Sequence, residues 1–316
     1  MKKFKSKRRK KHYLLKLVFL ILLIYFICHL TFHVLFNIKI TDNKGLIAIL
    51  LNDTNRSLAN KSFLETLNET VLNITPTKLL NSTLDSNIDT SSDSELPSEL
   101  TTYVDDPNPI DVTNPRVYIY NTHQLEGYDG TNYSEYGITP NVQMASYLLK
   151  DRLNSFNIPT IVEMGNISDL LNANGWSYSY SYKASRYFIE DVLKKNKNLD
   201  LIIDLHRDSI SHDASTISYN GKKYAKVMFV VGEEYDTYEK NLDLTNTINN
   251  LLKEQIPEIS RGVILKGGKG VNGIYNQDLN QNMILIECGG NENTIDEVIN
   301  TIDLLANVIK TYLKGE

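Results

Sequence analysis

Residues 199–208 read Leu-Asp-Leu-Ile-Ile-Asp-Leu-His-Arg-Asp, a strand pattern from Leu199 to Leu205 that runs directly into a histidine. The run is apolar on both faces, as is a second run from Met283 to Cys288. Strands of this kind are typical of the centre of a parallel sheet whose faces are covered by helices. Because strand and helix patterns alternate over residues 115–316, the sequence predicts an α/β fold with a mainly parallel, twisted sheet flanked by helices.

The other predicted elements follow the same alternation. Further strands are predicted at Arg116–Tyr120, Ile158–Val162, Thr216–Ser218, Tyr224–Val231 and Val263–Lys266. Helices are predicted at Val142–Leu153, Tyr178–Leu193, Leu242–Leu252 and Thr294–Leu313. The pair Asn220-Gly221, between two of the strands, is typical of a hairpin turn.

The amino-terminal part of the chain differs in composition from this domain. Residues 1–12 contain eight of the 33 Lys and Arg residues and no acid, although the whole chain has a formal net charge of −5. The remainder is therefore acidic, which argues against nucleic-acid binding. Residues 37–114 are rich in Asn, Ser, Thr and Asp and have too little apolar content for a core, so they are predicted to form a disordered, low-complexity tether.

An apolar run, Leu-Val-Phe-Leu-Ile-Leu-Leu-Ile-Tyr-Phe-Ile-Cys-His-Leu, occupies residues 17–30. A helix over residues 13–36 is long enough to span a bilayer, and the basic residues before it favour a cytoplasmic amino terminus and an exported carboxyl-terminal part. A cleaved signal peptide is the alternative, but the run is longer than a signal core and no small-x-small cleavage site follows it. We therefore predict a basic cytoplasmic tail (1–12), a single transmembrane anchor in the cell membrane (13–36), the tether (37–114) and an exported domain (115–316).

Polar side chains stand where three of the predicted strands end. His123 follows the first strand, His206 follows the third, and Glu287 ends the last. Ligands of open α/β sheets bind outside the carboxyl ends of the strands, so we expect these side chains to converge. Glu126 lies three residues after His123, and one turn of chain brings both to a single ion. Two imidazoles and a carboxylate predict a Zn²⁺ site, with Glu287 left as a general base.

Each of these residues also has a structural alternative. His123 with Glu126 would be an incidental pair on a surface turn, and His206 would be an interior histidine beside a local ion pair. Glu287 would be an acid paired with a lysine or capping a turn. His212 lies in a Ser-His-Asp-Ala segment, and we expect a solvated loop residue there and not a third histidine ligand.

Three more residues are candidates beside the metal. Arg207 can help to stabilise a developing oxyanion. Asn276 and Gln277 lie in a polar loop and can hydrogen-bond with the amides of a substrate, although turn hydrogen bonds explain them equally well.

At these residues the chain resembles the stage II sporulation protein P family, which are membrane-anchored peptidoglycan hydrolases of endospore-forming bacteria. The resemblance covers roughly residues 115–316 and rests on several short motifs in a fixed order. The motifs are Tyr118-Ile119-Tyr120-Asn121-Thr122-His123, Asp204-Leu205-His206-Arg207-Asp208-Ser209, Phe229-Val230-Val231-Gly232, Ser260-Arg261-Gly262-Val263, Tyr275-Asn276-Gln277-Asp278-Leu279 and Leu285-Ile286-Glu287-Cys288-Gly289-Gly290.

The resemblance implies a zinc-dependent N-acetylmuramoyl-L-alanine amidase, with endopeptidase activity also ascribed to the family, on a zinc amidase fold of the phosphorylase/hydrolase-like type. His123 and His206 match the positions of zinc ligands and Glu287 matches the catalytic acid, and Glu126 is our own choice for the third ligand. The enzyme would act on septal peptidoglycan during engulfment, alongside a lytic transglycosylase, stage II sporulation protein D. Two alternatives stay open: a zinc carboxypeptidase-like peptidase, in which H-x-x-E, a later His and a late Glu also occur, and a non-catalytic cell-wall-binding module.

Overall fold

The computed structural model describes residues 101–132 and 139–315, together with Lys16, Phe19, Leu20 and Leu23. The chain forms two units, residues 1–41 and residues 42–316. In the first unit the four described residues are helical and exposed. The predicted tail and most of the predicted anchor and tether lie outside the described residues. Among the residues that the structure describes, no helix combines the length and the apolar character needed to cross a membrane.

The described part of the second unit alternates strands and helices. Its strands are β1 (Val117–Tyr120), β2 (Thr160–Val162), β3 (Leu201–Asp208), β4 (Thr216–Tyr219), β5 (Lys222–Ala225), β6 (Val227–Gly232), β7 (Ser260–Lys266) and β8 (Met283–Gly290). Its helices are α1 (Val142–Ser155), α2 (Ile167–Asn174), α3 (Ser181–Lys195), α4 (His212–Ser215), α5 (Tyr238–Gln255) and α6 (Ile295–Lys314). Two 3₁₀ turns lie at Tyr178–Tyr180 and Gln277–Leu279.

The main sheet has six strands in the order β2-β1-β3-β8-β6-β7. Strand β1 is parallel to β2 and β3, β3 is parallel to β8, and β6 is parallel to β7, whereas β6 and β8 are antiparallel. The predicted α/β fold with a mainly parallel sheet is therefore confirmed. Its one departure is that β6 and β7 run against the other four strands.

Strand β6 is reversed because of the segment that precedes it. Residues 209–226, all of them described, contain only the one-turn helix α4 and the antiparallel β4–β5 hairpin. A parallel neighbour requires a crossover, usually a full helix, that returns the chain to the opposite edge of the sheet. Without that crossover, β6 starts from the edge where β3 ends. The hairpin turns at Asn220 and Gly221, whose φ angles are 49° and 78°, so the predicted turn is confirmed.

The predicted helices form with shifted ends. The helix predicted from Tyr178 begins as a 3₁₀ turn, and regular α-helix starts at Ser181. Helix α6 starts after Thr294, whose backbone N–H donates to Glu297 Oε2 at 3.1 Å while the Glu297 N–H donates to Thr294 Oγ1 at 3.4 Å. This reciprocal capping box satisfies two donors at the helix start. Helix α2, of eight residues, was not predicted.

The two faces of the sheet are covered by different helices. Tyr118, Tyr120 and Ile202 form a buried cluster with Ile189 of α3. Helix α1 contacts β1, β3 and α6. Since β1, β3 and β8 are parallel neighbours, their carboxyl ends share one edge of the sheet.

Residues 101–106 pack against the domain, although the sequence places them in the tether. The Thr101 N–H donates to Leu125 O at 3.0 Å, and the Val104 N–H donates to the side chain of Gln143 in α1 at 3.0 Å. Asp106 forms a buried ion pair with Lys150 at 2.6 Å. These contacts attach residues 101–106 to helix α1 and to the loop that follows β1.

Candidate metal centre

The loop after β1 carries the first two candidate ligands. The Glu126 N–H donates to His123 O at 3.1 Å, which closes the turn between them. The carbonyl of Glu126 accepts the Val142 N–H at the start of α1, at 3.0 Å, and Leu125 O accepts the Thr101 N–H. The turn is therefore held from both sides by backbone hydrogen bonds, and the two side chains project from a fixed frame.

Strand β3 brings the third candidate ligand to the same place. His123 Nδ1 lies 3.2 Å from Glu126 Oε1, and His206 Nδ1 lies 3.4 Å from Glu126 Oε2. The two imidazole rings meet edge to face, with centroids 5.1 Å apart. One donor atom from each residue lies within 4.8 Å of the other two. Two imidazoles and one carboxylate are a donor set that catalytic zinc sites use, so these side chains fit a zinc ion.

The charges of this cluster are strongly coupled. Burial alone would raise the pKa of Glu126, but the attraction of His206 and the hydrogen bond from His123 outweigh it, and the pKa falls well below its ordinary value. Burial would lower the pKa of His206, but Asp204 and Glu126 raise it well above its ordinary value. A metal ion binds the neutral form of histidine, so metal binding to this cluster would be linked to the release of protons.

Asp204 lies behind His206 on the same face of β3. Its Oδ1 atom is 2.8 Å from His206 Nε2, although the ring N–H lacks the alignment of a well-formed hydrogen bond. The carboxylate is held by Thr122, whose N–H and hydroxyl donate to it at 2.9 Å and 2.8 Å. A carboxylate behind a metal-binding histidine fixes the orientation of the ring and increases its basicity.

Glu287 lies beside this cluster on the neighbouring strand. It is in register with His206 across the parallel β3–β8 pair, so the two side chains share one face of the sheet. Its Oε2 atom is buried and has no hydrogen-bond partner among the described residues. Burial raises its pKa to about 7, since the attraction of His206, which lowers the pKa, is opposed by repulsion from Glu126 and Asp208. An unpaired carboxyl group with a pKa near neutrality suits proton transfer.

Arg207 is buried and contacts the backbone. Its backbone N–H donates to Glu126 Oε2 at 3.1 Å. In its guanidinium group, Nε donates to Gly127 O at 2.9 Å and Nη1 donates to Asp208 O at 3.3 Å. Nη2 is buried without a partner in the described part of the chain. Arg207 thus holds the ligand loop against β3 and keeps one N–H group unpaired.

The family model for Stage II sporulation protein P (SpoIIP) matches residues 48–310. The chain belongs to the stage II sporulation protein P family. Stage II sporulation protein P of Bacillus subtilis (strain 168) is 36% identical over 202 residues, which make up 61% of this chain and 49% of that protein. The chain thus spans about half the length of this curated relative.

Solved structures similar to this SpoIIP family member are more distant. The CwlD amidase from Clostridioides difficile, in complex with the GerS lipoprotein, has a TM-score of 0.43 and 12% identity, covering 64% of this chain and 100% of that one. The N-acetylmuramyl-L-alanine amidase Ami1 from Mycobacterium smegmatis has a TM-score of 0.32 and 12% identity, covering 66% and 100%. A metallo-carboxypeptidase from Burkholderia cenocepacia has a TM-score of 0.40 and 9% identity, covering 64% and 58%. With TM-scores this low, these likenesses carry no argument about function.

The two candidate substrate-binding amides of this family member lie in the interior. The Asn276 amide donates to Tyr182 O at 2.9 Å and to Ser185 Oγ at 3.0 Å. The Gln277 amide donates to Val230 O at 2.9 Å and accepts the Gly232 N–H at 3.0 Å. These bonds join the loop before β8 to α3 and β6, so they are long-range contacts and not the local turn hydrogen bonds of the alternative. A role in substrate binding stays a prediction for both residues.

His212 differs from the expectation of a solvated loop. It begins α4, and its Nε2 atom lies 2.9 Å from Glu297 Oε1. The expectation was wrong because the carboxylate partner lies 85 residues further along the chain. The residue is not among the His123, Glu126 and His206 donors that group around one point, which agrees with leaving it out of the ligand set.

Two tyrosines of this cluster were missed by the sequence analysis. Tyr178 stacks on His123 with ring centroids 5.1 Å apart. Tyr182 meets His123 edge to face at 5.5 Å and stacks on His206 at 6.3 Å. Together they form an aromatic wall that restricts the orientation of both imidazoles. The alternation of aromatic residues and serines over residues 176–182 was a signal that could have pointed to them.

Proposed function

We propose that this chain is a zinc-dependent N-acetylmuramoyl-L-alanine amidase, a peptidoglycan hydrolase that acts in sporulation. The observation that carries the proposal is the convergence of His123, Glu126 and His206 beside a carboxyl group, Glu287, that has an unpaired oxygen. A metal-dependent hydrolase needs both parts, an ion held by side chains and a base that stays off the ion. Membership of the SpoIIP family supports the cell wall as the source of the substrate.

The residues of the site suit hydrolysis of the amide between the lactyl group of N-acetylmuramic acid and L-alanine. A bound zinc ion would polarise the amide carbonyl and make a water more acidic. Glu287 accepts a proton from the attacking water and delivers it to the departing nitrogen of L-alanine. The carbon–nitrogen bond breaks, leaving a carboxylate on the sugar and a free amine on the peptide. The unpaired N–H of Arg207 is the donor proposed for the developing oxyanion.

The place of action is part of the same proposal. The predicted anchor at residues 13–36, with basic residues before it, supports a single-pass protein of the cell membrane whose catalytic domain is exported. Family membership supports septal peptidoglycan as the substrate during engulfment, with stage II sporulation protein D as a candidate partner. Hydrolysis of peptide cross-links is a second activity that the same site would allow.

Product analysis tests this function and its alternatives together. The full chain is incubated with purified cell wall, the released fragments are identified by mass spectrometry, and zinc is quantified per chain. We expect about one zinc ion per chain and stem peptides that carry a free amino-terminal L-alanine. Release of single carboxyl-terminal amino acids would instead indicate a carboxypeptidase-like enzyme. Wall binding without zinc or release would indicate a binding module.

A further inference from the structure

A second surface lies next to the metal centre. Residues 176–182 alternate aromatic side chains with serines, Trp-Ser-Tyr-Ser-Tyr-Ser-Tyr, and include the only tryptophan of the chain. Tyr178 and Tyr182 contact the imidazoles of the candidate ligands. The other two aromatic residues of the run, Trp176 and Tyr180, contact each other, and Trp176 also contacts Tyr187 of α3. We call Trp176, Tyr180 and Tyr187 the aromatic shelf.

The shelf is a cluster of contacting rings, two of which belong to exposed residues, and Lys183 Nζ lies over the Trp176 and Tyr180 rings. The ring centroids of Trp176 and Tyr180 are 6.0 Å apart, and those of Trp176 and Tyr187 are 6.2 Å apart. Tyr180 is 47% exposed and Tyr187 is 54% exposed. Trp176 is half-buried and packs against the cluster of Ile167, Leu171 and Ala184, which holds the shelf to the domain.

The shelf is continuous with the candidate metal centre. Tyr178, two residues after Trp176 and two before Tyr180, has its ring 5.1 Å from the His123 ring. The same short segment therefore contacts a candidate ligand with one ring and solvent with the next. A polymer that lies on the shelf would present its adjoining groups to the ligand cluster.

The polar groups around the shelf indicate what kind of ligand it takes. Ser177, Ser179, Asn172 and Asn174 are all exposed nearby along the chain, and Lys183 Nζ lies 3.9 Å from the centre of the Trp176 ring. Aromatic faces mixed with hydroxyl, amide and ammonium groups suit a ligand that has both apolar C–H faces and many polar substituents. A pyranose ring with N-acetyl and hydroxyl groups has this chemistry.

Other occupants fit the shelf less well. An anionic membrane surface attracts clusters of several cations, but acidic side chains lie in α3, the helix of Lys183, at Glu190 and Asp191, and in the neighbouring α2 at Asp169. Arg186, the next cation in α3, is already paired with Asp278 at 2.8 Å. This mixture of acidic and basic side chains gives little attraction to such a surface.

We propose that the aromatic shelf binds the glycan strand of peptidoglycan and holds a muramyl residue so that its lactyl amide reaches the metal centre. This inference rests on the proposed function for its choice of polymer. It follows that a glycan strand binds better than a single sugar carrying the same peptide. The rate of the chemical step is set by the ligand cluster and does not depend on the shelf.

The test compares the Tyr180→Ala/Tyr187→Ala double variant of the full chain with a matched control, Tyr219→Ala. Tyr219 is 38% exposed and lies in the β4–β5 hairpin. Turnover is measured on polymeric peptidoglycan and on a single N-acetylmuramoyl peptide. We expect KM for the polymer to rise about tenfold in the double variant, since each aromatic contact contributes roughly a few-fold in affinity. Neither kcat nor turnover of the single-sugar substrate should change, and Tyr219→Ala should match the wild type.

Co-sedimentation with insoluble peptidoglycan gives a readout that needs no turnover. If the double variant sediments less than the wild type and the wild type proves inactive as an amidase, the shelf proposal would hold and the proposed function would be rejected. An unchanged KM for the polymer with unchanged sedimentation would overturn the shelf proposal. An equal change in KM on both substrates would also overturn the shelf proposal. The same holds if the double variant loses only self-association, or loses only binding to phosphatidylglycerol vesicles.

Discussion

His123, Glu126 and His206 form one histidine–glutamate cluster of the domain, and His212 with Glu297 forms another. The shortest nitrogen–oxygen distances are similar, 3.2 Å in the first and 2.9 Å in the second. In the second cluster the Glu297 carboxylate accepts hydrogen bonds from Asn293 at 2.9 Å and from the Thr294 N–H at 3.1 Å, besides His212. Both of its oxygens are satisfied, and the cluster closes the start of α6.

The first cluster is not closed in this way. Glu287 lies beside it, and among the described residues Glu287 Oε2 is buried without a hydrogen-bond partner. Burial of such groups is costly unless a ligand or a bound water satisfies them. The comparison shows that proximity of a histidine and a glutamate does not define a metal site. What distinguishes the first cluster from the helix cap is the unsatisfied, buried acceptor of Glu287 beside it.

Removal of one histidine from each cluster should produce the largest contrast. We expect His206→Ala to abolish both zinc binding and release of peptide from purified cell wall, because it removes one of three ligands. His212→Ala should keep zinc and turnover, because its partner only caps a helix. Zinc quantification and peptide release by the two purified variants measure this. Turnover retained by His206→Ala would remove the metal role of the first cluster.

Replacement of the acid beside the first cluster should separate metal binding from chemistry. Glu287→Gln keeps the shape of the side chain but removes the base, so we expect turnover to fall by about 10²–10⁴-fold with the zinc content unchanged. Single-turnover rates on cell-wall fragments, read alongside metal content, measure the effect. Glu239→Gln, at an exposed position in the first turn of α5, is the control. Wild-type rates in Glu287→Gln would show that another group accepts the proton.

Replacement of the acid in the second cluster should have the smallest effect, on stability alone. Burial would raise the pKa of Glu297, but hydrogen bonds from Asn293, His212 and Thr294 outweigh it and lower the pKa below its ordinary 4.5. Because the pKa of Glu297 is lower in the folded state, its carboxylate stabilises the fold at pH values above its ordinary pKa. This stabilisation is lost as the pH falls through the pKa of the folded state. We expect Glu297→Gln to lower the free energy of unfolding by about 1 kcal/mol at pH 7, with activity retained.

Urea denaturation at several pH values checks this last expectation. The difference between Glu297→Gln and the wild type should shrink as the pH falls below about 4.5, because the wild-type carboxylate then becomes protonated. A difference that stays constant across this range would mean that the charge of Glu297 does not stabilise the fold.

Some features of the fold and of the candidate site could be predicted from the sequence, and others could not. Strand β3 and the candidate ligand at its end could be predicted because an apolar run is typical of a strand that is buried on both faces, and because parallel strands bring their carboxyl ends to one edge. The reversal of β6 was not predicted, since strand direction depends on whether the preceding segment crosses the sheet. His212 was misplaced for a similar reason, since its partner comes from a helix remote in the sequence.

Local pattern by itself determined the α/β class and the mainly parallel sheet, and it singled out the candidates His123, Glu126, His206 and Glu287, because burial and the period of side chains are encoded over short stretches. Only the tertiary structure decided which side chains are left without partners and which rings face solvent. Those properties arise when elements distant in the chain meet, as Tyr178 meets His123 and Glu287 meets His206. Hydrogen-bond satisfaction is a property of the packed interior, and no local stretch of sequence contains it.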